Sequence, residues 1–68
     1  MSNQYVARFI GSQTEDGGQM VIHARNAEEA LRRALHNAEE GDWVSGEKIN
    51  VVVSLGGEDI AEGETVAP

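Results

Sequence analysis

One segment of this sequence, residues 27–40, repeats its apolar residues at helical spacing, and segments that alternate every second residue flank it on both sides. The side chain of Asn26 is suited to cap the first turn of a helix, and Glu29 completes a capping box. We therefore predict a helix from Ala27 to Glu40, whose alanine-rich stripe lets it lie close to a sheet. The stripe consists of Ala27, Ala30, Leu31, Ala34, Leu35 and Ala38.

Period-2 alternation predicts strands before and after this helix. Two strands, Gln4–Ile10 and Gln19–Ala24, precede it and are joined by a polar, glycine-containing loop. The run Lys48–Leu55 follows it and gives the strongest strand signal, because four aliphatic residues fall on one face. Two glycines then predict a tight turn, after which Glu58–Ala61 forms a short edge strand. We expect the tail from about residue 62 to be flexible.

The predicted order is β-β-α-β-β, which defines a single small α+β domain over residues 1–68. We expect an antiparallel-rich sheet of three to four strands with the helix packed on one face. A crossover through the helix places the third strand beside the first and leaves the second face of the sheet open. The chain has no cysteine, so its small core must fold without disulfides, and a reducing compartment fits this composition.

The composition argues against several classes of function. Twelve Asp and Glu residues outnumber 5 Lys and Arg, which disfavours direct binding to DNA, RNA or anionic lipid. No apolar run is longer than that of Val51–Val53, which is too short to cross a bilayer, and Met1–Gln4 lacks the basic start of a signal peptide. We therefore expect a cytoplasmic protein that has no contact with membranes.

No arrangement of residues predicts catalysis, a metal site or a cofactor. His23 and His36 lack the spacing of metal ligands, and the serines occur in no nucleophile-elbow context. The two glycine pairs open no helix, so they are interpreted as turn residues and not as a phosphate loop. We expect a protein that is not an enzyme.

The net charge of −7 belongs entirely to the second part of the chain. The first 38 residues contain four acidic and four basic residues, whereas Lys48 is the single basic residue after them. A patch of one sign steers association with a basic partner, although the same residues could serve only solubility. Two acidic groups are expected at the two ends of the third strand: Glu39, Glu40 and Asp42 in one, and Glu58 and Asp59 in the other. The candidate partner-binding acids are Glu39, Glu40, Asp42, Glu47, Glu58, Asp59, Glu62 and Glu64.

Trp43, the only tryptophan, lies in the loop after the helix and has two interpretations. Its ring could close the helix onto the sheet edge, which the need of a small core for large apolar side chains favours. Alternatively, it could be an exposed anchor of the kind that dominates binding energies, so we include it among the candidate partner-binding residues.

The chain resembles the small acidic α+β proteins that bacteriophages encode. The similarity lies in a hairpin, in a helix that opens with Ala24-Arg25-Asn26-Ala27-Glu28-Glu29-Ala30, and in Gly41-Asp42-Trp43 before an acid-edged hairpin. In size and charge the chain is similar to anti-CRISPR inhibitors, which share no common motif. This resemblance implies a non-catalytic protein of the host cytoplasm that binds a basic surface of a CRISPR-Cas effector, where DNA or guide RNA normally lies.

A second hypothesis comes from a different class of protein. The open sheet face, or the edge of the last strand, could mediate self-association of a structural or accessory phage protein. The acidic surface would then serve solubility. The oligomeric state, monomer or homodimer, distinguishes the two hypotheses.

Overall fold

The computed structural model describes residues 3–68 apart from the side chain of Asp16; Met1 and Ser2, the start of the predicted domain, lie outside the described residues. The elements of this part of the chain are β1 (Asn3–Gly11), β2 (Glu15–Ala24), α1 (Ala27–Ala38), β3 (Lys48–Leu55) and β4 (Glu58–Val66). The strands form an antiparallel sheet in the order β2-β1-β3-β4, with the helix packed on it. The predicted α+β class, the order of the elements and the position of the third strand beside the first are confirmed.

Helix α1 begins as the sequence predicts and packs through small side chains. The Asn26 side chain accepts a hydrogen bond of 2.9 Å from the Glu29 amide, which satisfies one of the free donors of the first turn. The helix buries Ala30, Ala34 and Ala38 against the sheet, whose own buried residues are mainly aromatic and aliphatic. Alanines at these three positions allow the helix axis to approach the strands closely. The buried apolar residues of the sheet are Tyr5, Ala7, Phe9, Ile22, Ala24, Ile49, Val51 and Val53.

The last strand is longer than predicted, because the segment expected to be a flexible tail belongs to the sheet. Glu62 pairs with Val52, and the pairing continues to Val66 at the start of β3. A glycine in this strand, Gly63, lies beneath the helix, where an added Cβ would be 3.2 Å from Leu31 Cδ1. The absence of a side chain at Gly63 lets α1 pass over β4. The segment was predicted to be a tail because its composition is polar, although it pairs as a strand.

Two other boundaries also differ from the prediction. Helix α1 ends at Ala38 and not at Glu40, because the Glu40 and Gly41 amides donate to carbonyls three residues back and tighten the chain into turns. Strand β2 begins earlier than predicted, at Glu15, within the expected loop. A register shift lies opposite Arg8–Ile10, and Gly18 (φ 88°) supplies the positive φ there.

The second face of the sheet is open, as predicted, and it carries a mixed set of side chains. Residues that alternate with the buried ones point away from α1. Ile10 and Val21 on this face are each 48% exposed, and Val6 and Val52 on the same face are partly buried. Arg8, Glu62 and Glu64 also project from this face, so it is only moderately apolar.

Candidate functional site

Seven of the eight predicted acidic site residues are exposed, and most of them follow strand β4. Strand β4 is an outer strand of the sheet, so its side chains project from the two faces of the sheet beside a free margin. We use the name acidic edge for five of these residues, four on β4 and one directly after α1. Glu40 and Asp42 are exposed in the turn beyond α1 and continue the acidic surface past the helix end. The acidic edge consists of Glu39, Glu58, Asp59, Glu62 and Glu64.

The pairing of β3 with β4 fixes the length of the acidic edge. Glu58 pairs with the last residue of β3, Leu55, whereas Thr65 pairs with Ile49 near its start. The Thr65 hydroxyl donates a 3.0 Å hydrogen bond to Glu39 Oε1, which places the end of α1 beside this end of β4. The two acidic groups therefore lie at the two ends of β3, about 20 Å apart at ~3.4 Å per residue.

Glu62 and Glu64 lie in the middle of the acidic edge. They pair with Val52 and Asn50 and therefore project from the open face of the sheet, unlike Thr65 beside Glu39, which pairs with buried Ile49. The two glutamates point to the same side of β4, with their Cα atoms about 7 Å apart along the strand. This separation is below the screening length of ~8 Å at physiological salt, so the fields of the two carboxylates add.

Basic residues compensate little of this charge. Arg8 Nη2 lies 3.1 Å from Asp59 Oδ1, but the two side chains are 47% and 59% exposed, and such surface pairs contribute little energy. Within residues 3–68, the other four members of the acidic edge form no ion pair. Four of the five carboxylates of the acidic edge are therefore without an ion pair in the described residues.

Glu47 is the exception among the predicted acidic residues, because its side chain is only 1% exposed. Its carboxylate accepts hydrogen bonds from the Gln13 amide (2.7 Å), the Thr14 amide (2.6 Å), the Thr14 hydroxyl (2.7 Å) and the Val44 amide (2.9 Å). Glu47 is therefore buried and does not belong to the exposed acidic surface in which we expected it. This residue joins the β1–β2 loop to the loop after α1.

The environment of Glu47 keeps its carboxylate ionised. Burial removes water and by itself raises the pKa, but the hydrogen bonds from Thr14, Gln13 and Val44 outweigh burial and lower the pKa to about 2. Neighbouring backbone bonds close the same end of the molecule, since the Ala67 amide donates to the Glu47 carbonyl at 2.9 Å. Glu47 is a structural anion that organises three chain segments.

Trp43 acts as the lid that the first interpretation predicts. Its indole Nε1 donates a 2.6 Å hydrogen bond to the Ala38 carbonyl at the end of α1, and its ring packs against the core. The ring lies over Gly11 and Gly17, where a Cβ atom would overlap it. Because the ring is partly buried in these contacts, the structure gives no support to its role as an exposed binding anchor.

The two histidines considered for metal binding line one groove but do not form a ligand set. Among the described residues, no group of three or more His, Cys, Asp or Glu side chains could hold a metal ion. His23 and His36 both line a groove between β2 and α1, without a carboxylate in its lining. No helix in residues 3–68 combines the length and apolar character that crossing a bilayer requires.

Comparison of the chain with protein-family models, with curated proteins and with solved structures finds no match in any of the three. The arguments for function therefore depend on the geometry and charge of this molecule. The acidic edge is the feature that separates this chain most clearly from a small domain with evenly mixed surface charge.

Proposed function

We propose that this protein is a non-catalytic inhibitor that docks its acidic edge on a basic, nucleic-acid-binding surface of a CRISPR-Cas effector. Carboxylates would take the places that phosphates occupy, and the effector would lose access to DNA or guide RNA. The observation that carries this proposal is the set of exposed carboxylates along β4 and the end of α1, of which only Asp59 has an ion pair among the described residues. The resemblance to phage-encoded anti-CRISPR proteins supplies the class of partner.

The charge density of the acidic edge favours imitation of one nucleic-acid strand. Asp59, Glu62 and Glu64 project from the same face of β4 over about 14 Å, which gives one charge per ~5 Å, compared with one per ~3.4 Å along a single strand and one per ~1.7 Å of duplex axis. A groove that accommodates single-stranded DNA or guide RNA is therefore a better match for this edge than a duplex channel. The proposed site of action is the host cytoplasm, with a protein as the partner.

Self-association through the open sheet face is the second candidate function, and the exposed Ile10 and Val21 favour it. Four strands at ~4.8 Å spacing and about 26 Å long offer roughly 500 Å² per copy, whereas a stable interface buries roughly 800 Å² per partner. The open face alone is therefore smaller than a typical stable interface. Light scattering separates the hypotheses: a monomer supports the inhibitor, and a dimer through this face supports an assembly role.

Reversing the two central charges is expected to abolish docking. The variant Glu62→Lys, Glu64→Lys changes exposed side chains without ion pairs, and we expect it to bind the effector at least 100-fold more weakly, or about 2.7 kcal/mol. Binding is measured by capture of effector subunits from a CRISPR-bearing bacterial lysate, followed by kinetics with the purified effector at low and high salt.

The matched control is Glu15→Lys, Glu28→Lys, which makes the same change in net charge outside the acidic edge. This control should bind within about threefold of the wild type, and a single-stranded oligonucleotide should compete with both proteins. Equal capture by the charge-reversed variant, or no capture of an effector by the wild-type chain, would contradict the proposal.

A further inference from the structure

The margin of the sheet opposite the acidic edge carries a second surface. A groove of about 520 Å³ runs between β2 and α1. The strand side of the groove consists of Met20–His23, and the helix side consists of Arg32, Arg33, His36 and Asn37. Its floor is apolar, because Ile22 is buried and Met20 packs against the core. The groove thus combines an apolar floor with a cationic wall.

The backbone of β2 faces this groove with free pairing capacity. Arg33 Nη1 donates a 2.8 Å hydrogen bond to the His23 carbonyl, so this carbonyl points away from β1. In an antiparallel strand, residues two and four positions away orient their backbone groups in the same direction. The amides and carbonyls of Val21 and Gln19 therefore point outward, and β2 has no strand on this side in the described chain. Such an edge accepts an added strand.

The cationic wall is available to a ligand. Arg32 lies 3.9 Å from Glu28, and these side chains are 74% and 89% exposed, so their pairing contributes little. Arg33 is shared between the His23 carbonyl and Glu29, 3.0 Å away, and it remains 57% exposed. A carboxylate that enters the groove can therefore pair with Arg32 without disrupting a strong internal interaction.

We propose that this groove binds an extended acidic peptide segment of a partner protein, which adds to β2 as a fifth strand. Alternate side chains of the added strand would face the groove. One of them would cover Met20 and Ile22, and the side chain two positions further along would meet the guanidinium of Arg32. The recognised pattern is an apolar residue followed two positions later by Asp or Glu. This surface is independent of the acidic edge, which lies on the other margin of the sheet.

The test uses the isolated protein and three peptides that carry a fluorophore at the N-terminus. The probe peptide is Thr-Val-Thr-Glu-Thr-Val-Thr-Glu, the second peptide has Lys in place of Glu, and the third carries N-methyl groups on the backbone nitrogens of its pairing side. We expect the probe to bind at least tenfold more tightly than either of the others by fluorescence anisotropy. It should also shift the NMR amide signals of Gln19 and Val21 and leave those of β4 unchanged.

Two variants with the same change in charge test whether Arg32 is the residue that binds the acidic side chain of the peptide. Arg32→Glu should weaken probe binding at least tenfold, whereas Arg25→Glu, 80% exposed and outside the groove lining, should bind within about twofold of the wild type. Equal affinity for all three peptides would overturn the proposal, as would amide shifts confined to β4. Concentration-dependent shifts of Val21 without peptide would overturn it too, since they would identify a second copy of the chain as the occupant.

Discussion

Replacing Glu47 with Gln is expected to lower the melting temperature by roughly 10–20 °C, measured by circular dichroism at pH 7. The carboxylate of Glu47 accepts four hydrogen bonds from Gln13, Thr14 and Val44 in a buried position. A Gln side chain has nearly the same shape but replaces one acceptor with an NH₂ donor. The new NH₂ group would then face the N–H and O–H donors that now bind the carboxylate, without water between them. The contact between the β1–β2 loop and the loop after α1 would be lost.

The pH dependence of stability gives a second readout of the same residue. Because the folded-state pKa of Glu47 is lowered from 4.5 to about 2, its contribution to stability is complete above pH 4.5 and is lost as the pH falls towards 2. Glu29 acts in the same direction, since its hydrogen bond with Arg25 lowers its pKa. The melting temperature of the wild type should therefore fall through this window, and that of Glu47→Gln should fall less.

The matched control for this experiment is Glu64→Gln, which removes an exposed charge without an ion pair. Its melting temperature should stay within about 3 °C of the wild type at pH 7, and it should keep the acid dependence of the wild type. If Glu47→Gln and the wild type lose stability in parallel below pH 4.5, the buried carboxylate is not the source of the effect.

Removing the indole of Trp43 is expected to have a comparable effect on the free energy of unfolding. Truncation of a large core aromatic residue to alanine costs about 3–5 kcal/mol, out of the ~5–15 kcal/mol that stabilises a typical domain. Here the loss includes the hydrogen bond to the Ala38 carbonyl and the contacts over Gly11 and Gly17. Urea unfolding of Trp43→Ala, followed by far-UV circular dichroism, measures the change.

A double-mutant cycle tests whether the ring occupies the position described. In the wild type, Gly17→Ala should be destabilising, because its Cβ would overlap the Trp43 ring. In the Trp43→Ala background the same substitution should be nearly neutral, so the coupling energy should be at least about 1 kcal/mol. For comparison, Gly18→Ala meets no atom within 4 Å and is strained by its φ of 88°, so its effect should be equal in both backgrounds. Equal effects of Gly17→Ala would contradict this position of the ring.

Much of the fold could be predicted because its signals are local. The alternation of Ile49, Val51 and Val53 and the cap at Asn26 each depend on residues within a few positions of each other. The full length of β4 could not be predicted in this way. Its last residues include two glutamates and Gly63, which have low strand propensity, and they become a strand because β3 pairs with them and α1 passes over the glycine.

The candidate site also contains residues whose exposure the sequence predicts and one residue whose burial it does not predict. Exposed acids in short polar runs, such as Glu62 and Glu64, are predictable because charged residues remain in water by default. The burial of Glu47 is not predictable from its neighbours in sequence, since Gln13 and Thr14, which donate to it, lie 34 and 33 positions earlier. A single acid directly before a strong strand was the one available signal, and it does not distinguish a buried anion from a surface charge.

The carboxylates along β4 also have a consequence for the solution behaviour of the protein. An unpaired outer strand is a template for edge-to-edge pairing between copies, which is a common start of aggregation. Two copies that approached each other through β4 in an antiparallel arrangement would bring the row containing Glu62 and Glu64 against an identical row, and like charges in facing positions repel. The residues proposed to attract a basic partner therefore also protect this strand from pairing with itself.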